Sequence, residues 1–80
     1  EDTDQVFFGA TVTLMQQDGA EKIYSIVGID EADASRGRIS WISPLAKALI
    51  KAREGDTVTV RTPGGDEALE VVGIEYKAID

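Results

Sequence analysis

Apolar residues fall at every second position from Phe8 to Leu14, as Phe8, Ala10, Val12 and Leu14, with Thr11 and Thr13 between them. That period of two predicts a half-buried strand over residues 6–15. Gln17-Asp18-Gly19 follows, and an Asp-Gly step accepts positive φ, so residues 22–29 are expected to pair back antiparallel as the second strand. Residues 30–37 are polar and acidic and read as an exposed loop, and residues 38–42 read as a short third strand.

Ser43-Pro44 ends that strand and opens a helix. A hydroxyl at the cap accepts an orphan backbone N–H, and proline at the first helical position has none to satisfy. Leu45, Ala48, Leu49 and Ala52 come at helical spacing, Lys47 and Lys51 fall on the opposite side, and Lys51 and Arg53 suit the negative end of the dipole. With Gly55 just past its end, the helix is expected over residues 44–54. Val58 and Val60 then alternate with Thr57, Thr59 and Arg61, which predicts a strand over residues 56–62. Pro63-Gly64-Gly65-Asp66 supplies a tight turn, and residues 67–76 form the last strand. Adjacent Val71 and Val72 break strict alternation there and indicate a bulge or a stretch covered on both faces. The order β-β-β-α-β-β predicts an α+β domain, one helix laid against a curved antiparallel sheet.

Composition narrows the picture. Eighty residues make one domain, and a chain of that size buries only roughly 60–65% of its unfolded surface. Net stability near 5 kcal/mol is then expected, to an order of magnitude, with few core positions to spare for an internal cavity. The absence of cysteine removes disulfides and thiolate ligands, and the absence of histidine removes the commonest metal ligand and general base. A net charge of −7 argues against a grip on phosphate backbones and favours a basic protein surface as partner. No apolar run approaches the roughly 20 residues that cross a bilayer, and no signal segment opens the chain, so a cytoplasmic location without membrane contact is expected. Residues 1–5 read as a linker or frayed end, and residues 6–80 as the domain.

Three stretches invite chemistry, and each has a plainer reading. Asp30-Glu31-Ala32-Asp33 gathers carboxylates that can hold Mg²⁺, but without a phosphate-binding loop it reads as a solvated acidic loop. Thr62-Pro63-Gly64-Gly65-Asp66 has strand patterning on both sides, and so reads as a hairpin turn and not as an anion cradle. Phe7, Phe8, Tyr24, Trp41 and Tyr76 form a conceivable stacking platform for single strands, yet with few Lys and Arg beside them they are expected mostly in the core, Trp41 included. The helix start, with its free N–H groups and the neighbouring 30–37 loop, offers a docking surface.

Taken in order, Val6-Phe7-Phe8-Gly9-Ala10-Thr11-Val12, Ile26-Val27-Gly28 with Asp30-Glu31, Gly37-Arg38-Ile39-Ser40, Ser43-Pro44-Leu45-Ala46-Lys47-Ala48-Leu49, Gly55-Asp56-Thr57-Val58 and Thr62-Pro63-Gly64-Gly65 form a specific set. The set resembles the C-terminal domain of the bacterial GreA/GreB transcript-cleavage factors, and the Phe-Phe-Gly-Ala opening and Ser40-Trp41 look more like the GreB branch. The resemblance implies an FKBP-like fold and a domain that docks on a coiled coil of the RNA polymerase β′ subunit, at the rim of the secondary channel. It implies that an N-terminal coiled coil carries the two acids that help hold the catalytic Mg²⁺, and these 80 residues contain no such hairpin. No catalytic residue, cofactor or direct nucleic-acid contact is therefore expected here. The implied docking segment is Ile42, Ser43 and Pro44, with Lys47, Asp30 and Glu31 beside it. Ile42 stands where relatives often carry a polar or acidic residue. Alternatives are a Rnk-like or anti-Gre paralogue that also binds polymerase, or a peptidyl-prolyl isomerase, which the shared fold alone would suggest.

Overall fold

The computed structural model describes residues 5–76, and within them five strands form one curled sheet in the order β3-β2-β1-β5-β4. Along the chain these are β1 (Thr11–Met15), β2 (Glu21–Val27), β3 (Arg38–Ser40), the helix α1 (Pro44–Leu49), β4 (Thr57–Thr62) and β5 (Gly65–Glu75). Residues 1–4 of the expected linker lie outside the described residues, and Gln5 pairs with Arg53 as an isolated bridge. The predicted α+β class and element order hold.

Alternation decides which face each side chain takes. Val12 and Leu14 of the central strand point to the concave face with Tyr24 and Ile26 of β2 and Leu69 and Val71 of β5, and Ala46 and Leu49 of α1 close over them. On the other face Thr11 Oγ1 and Ser25 Oγ lie 3.0 Å apart across the β1–β2 pair, so the buried threonine keeps a partner. The break at Val71-Val72 is a bulge. Thr13 pairs with Gly73 and Leu14 with Val71, which leaves Val72 as the extra residue. Its effect is to shift the phase of β5, so that Leu69 and Val71 before it and Ile74 after it all meet the core.

Four expectations are corrected. The first strand begins at Thr11 rather than near residue 6, because Ala10 N donates to Phe7 O and Gly9 takes a φ of 90°, a turn that throws Phe7 and Phe8 outward. The third strand stops at Ser40, and its pairing with β2 is parallel while every other pairing in the sheet is antiparallel. Two 3-10 turns, Ile29–Glu31 and Ala34–Arg36, carry the chain back to make that parallel alignment possible. Gly37 closes the crossing at φ 71°, where a Cβ would come within 2.7 Å of the Ile23 carbonyl oxygen.

The helix ends at Leu49, five residues early. Lys51, at φ 78°, donates its N–H to Val6 O, and Val6 N donates to Ala52 O, so a sheet-like pairing with the incoming chain outcompetes further helical turns. The aromatic residues are the fourth correction. Phe7, Phe8, Trp41 and Tyr76 are exposed because they lie beyond the strand ends, and Tyr24, within β2, is the one packed on the core.

Candidate partner-docking surface

Local chemistry shapes the segment between β3 and α1. Ser40 accepts Ser43 N through its carbonyl and Ile42 N through its hydroxyl, at 2.9 and 3.1 Å, which ties a tight turn. Ser43 then caps α1, its Oγ accepting from Ala46 N at 3.2 Å, and Pro44 occupies the first helical position as the sequence predicts. Trp41 and Ile42 lie within this turn. They project outward with 47% and 43% of their surface exposed, Pro44 beside them is exposed, and Lys47 stands exposed on the helix.

The parallel pairing brings a second segment to the same end of the sheet. Val27 pairs with Ser40, and Trp41 N donates to Val27 O at 3.0 Å, so residues 28–31 and 41–44 leave β2 and β3 side by side. The first of these segments folds as a 3-10 turn in which Glu31 Oε1 accepts from Gly28 N at 3.4 Å, while Ile29, 58% exposed, and Asp30 face solvent. The expected contact residues Ile42, Ser43, Pro44 and Lys47 thus follow one another along the chain, and the segment holding Asp30 and Glu31 lies next to theirs. Ile29 and Trp41 were not among the expected contacts. Their exposure comes from the topology, and no local signal in the sequence marks it.

The third acid of that stretch has a different task. Asp33 Oδ1 accepts from Ser35 Oγ at 2.6 Å and from Ser35 N at 3.1 Å. These bonds, Ser35 Oγ foremost, hold the Asp33 carboxyl below its ordinary range, with Arg36 and Arg38 adding positive charge. It caps a turn, and it does not converge with Asp30 and Glu31. Among the described residues no cluster of three or more carboxylates is placed to hold a metal ion. Among them, too, no helix is long and apolar enough to cross a membrane.

A groove of about 360 Å³ runs between the start of α1 and the concave face, floored by Leu14, Tyr24, Ile39, Leu45, Val60 and Leu69, with Ser43 and Pro44 on its edge. Lys22, Arg61 and Glu67 add charge along its lining. Tyr24 is the single aromatic among its described lining residues, so it lacks the aromatic walls that would cradle a proline ring.

Fold and surface together define a small α+β domain with an exposed apolar edge flanked by acids. Comparison with known proteins makes the class specific. Residues 1–76 match the family described as "Transcription elongation factor, GreA/GreB, C-term", and the chain belongs to this family. It is 60% identical to transcription elongation factor GreB of Neisseria meningitidis serogroup B over 80 residues, all of this chain and 49% of that protein. To transcription elongation factor GreA of Brucella anthropi it is 51% identical over 74 residues, 91% of this chain and 47% of that one. The chain therefore spans about half the length of the curated relatives it matches. Among solved structures, the GreA factor homologue Gfh1 of Thermus thermophilus superposes with a TM-score of 0.80 at 30% identity, covering 91% of this chain and 49% of that one. The GreA/GreB factor of Nitrosomonas europaea gives 0.79 at 25% identity, covering 92% and 62%.

Proposed function

We propose that residues 6–80 are the domain by which a GreB-like elongation factor docks on bacterial RNA polymerase, at the β′ coiled coil on the secondary-channel rim. The whole protein would rescue backtracked complexes by stimulating transcript cleavage. The observation that carries this reading is the identity to a GreB along the entire chain, twice that to Gfh1. A Gfh1-like polymerase-binding paralogue is the second reading, supported by the structural likeness.

The chemistry of the exposed edge fits a docking role. Ile42 and Pro44 offer apolar contact, Ser43 holds the turn that presents them, and Lys47 supplies one positive charge. Asp30 and Glu31 suit basic residues of the partner, and complementary charge of this kind mainly speeds encounter. Cleavage itself would come from acids in the N-terminal half, and neither Asp30, Glu31 nor Asp33 takes their place. The test is a stalled elongation complex. The isolated domain should release no RNA fragment yet compete with the full-length factor, and RNA cleavage by the domain alone would overturn the reading.

A further inference from the structure

The curl of the sheet brings both of its edges to one groove. β3 and β4 are the outer strands, and Ile39 of the first and Val60 of the second line the same opening, with the start of α1 touching both strands. Its floor is not sealed. Leu14 and Leu69 are buried beneath it, while Tyr24, Ile39 and Leu45 keep part of their surface open. At about 360 Å³ the groove stands at the small end of ligand pockets, roughly 300–1,000 Å³, and has room for a few residues of extended chain. Ser43 and Pro44 form one wall, but Ile29, Trp41 and Ile42 take no part in the lining, so this surface differs from the exposed edge at the end of β2 and β3.

Charge gives the groove a preference. Lys22 pairs with Leu14 across β1 and β2, which sets the lysine beside the apolar floor, and Arg61 follows Val60 at the rim on β4. Neither cation makes an ion pair among the described residues. Glu67, the carboxylate among the described lining residues, accepts from Gln16 Nε2 at 3.0 Å and so already has a donor. In a chain of net charge −7, two cations thus stand over an apolar floor without a carboxylate to meet them. Repulsion from acids elsewhere on the surface is screened beyond about 8 Å at physiological salt, so the rim charges decide what the groove accepts.

We propose that this groove is a second docking site, which takes a short extended acidic segment of a partner protein. An aliphatic side chain of that segment lies on the floor of Leu14, Tyr24 and Leu69, and the carboxylates flanking it meet Lys22 and Arg61. The apolar contact supplies affinity by covering the open surface of Tyr24, Ile39 and Leu45, and the charges select the sequence around it. The inference goes beyond the polymerase reading and does not rest on it, so either can fail alone.

The experiment titrates the isotope-labelled 80-residue chain with three capped pentapeptides and follows its backbone amides by NMR. The probes are Asp-Asp-Leu-Asp-Asp, Asp-Asp-Ser-Asp-Asp and Lys-Lys-Leu-Lys-Lys, each taken to about 5 mM because so small a contact area binds weakly. The first should shift the amides of Lys22, Tyr24, Ile39, Leu45 and Leu69 along saturating curves, and the other two should not. Lys22→Glu with Arg61→Glu, both exposed side chains, should weaken that binding about fivefold or more, as expected for two exposed ion pairs turned repulsive. If the charge reversal collapses the amide dispersion, Lys22→Gln with Arg61→Gln replaces it under the same threshold. The proposal is overturned by the absence of saturable shifts, by shifts centred on residues 28–31 and 41–44, by equal binding of either control peptide, or by a loss below the threshold in a folded variant.

Discussion

On the concave face Val12, Leu14, Ile26, Leu49 and Val71 are fully closed to solvent, whereas at the end of β2 and β3 the side chains of Ile29, Trp41 and Ile42 stand half in water. Both sets are apolar. Burial stabilises at about 25 cal/mol per Å² only for area actually removed from water, so the first set contributes its whole area to the fold and the second only about half of its own. A partner would remove the remaining area of the second set, and that is where its free energy becomes available. The three large apolar side chains left at one edge are what the proposed docking role would use.

The contrast can be broken at its strong side first. Leu14→Ala leaves a cavity under α1 and should cost about 2–5 kcal/mol, much of the total for a domain of this size. Chemical denaturation at constant slope checks it, and a loss under about 1 kcal/mol would mean that the concave face is not the core. Gly37→Ala comes next. A left-handed φ and a Cβ pressed on the Ile23 carbonyl should cost roughly 1–3 kcal/mol. Amide exchange should localise that loss to β3 and the residue 28–37 crossing, and uniform loosening across the sheet would contradict the argument.

Ser43→Ala removes the cap of α1 and should cost about 1 kcal/mol, seen as a small drop in thermal midpoint, while Ser43→Asp should restore it. Smallest is the effect at Asp33, whose side chain is exposed. Its folded pKa lies below the unfolded one, so its contribution is complete above the ordinary carboxylate range and fades as pH falls through the depressed value. Ser35→Ala should move the Asp33 titration, followed by carboxyl-carbon NMR, back upward. An unchanged midpoint would show that Ser35 Oγ is not the principal cause.

Legibility in the sequence followed the range of the interactions. The start of α1 could be read because Ser43 and Pro44 act on their immediate neighbours, and the bulge could be read because Val71-Val72 breaks a strict alternation. The end of α1 could not, since Lys51 bonds to Val6, forty-five positions away. Nor could the parallel β3, which depends on how two short turns bring residues 28–37 across the sheet. The proposed docking edge shows the same division. The exposed turn at Ile42, Ser43 and Pro44 follows from local cap chemistry, while the adjacency of the Asp30-Glu31 turn and the exposure of Trp41 and Ile29 exist only once β2 and β3 run side by side.

The central claim is that the exposed edge binds while the concave face folds. Its most direct test is the affinity of the domain carrying Trp41→Ser and Ile42→Ser for bacterial RNA polymerase, measured by competition against the full-length factor, with the denaturation midpoint recorded on the same sample. The account predicts a stability loss smaller than that of Leu14→Ala, with the variant still folded at the assay temperature, and a loss of affinity of about tenfold or more, as for truncated interface anchors. Unchanged affinity in a folded variant would contradict it.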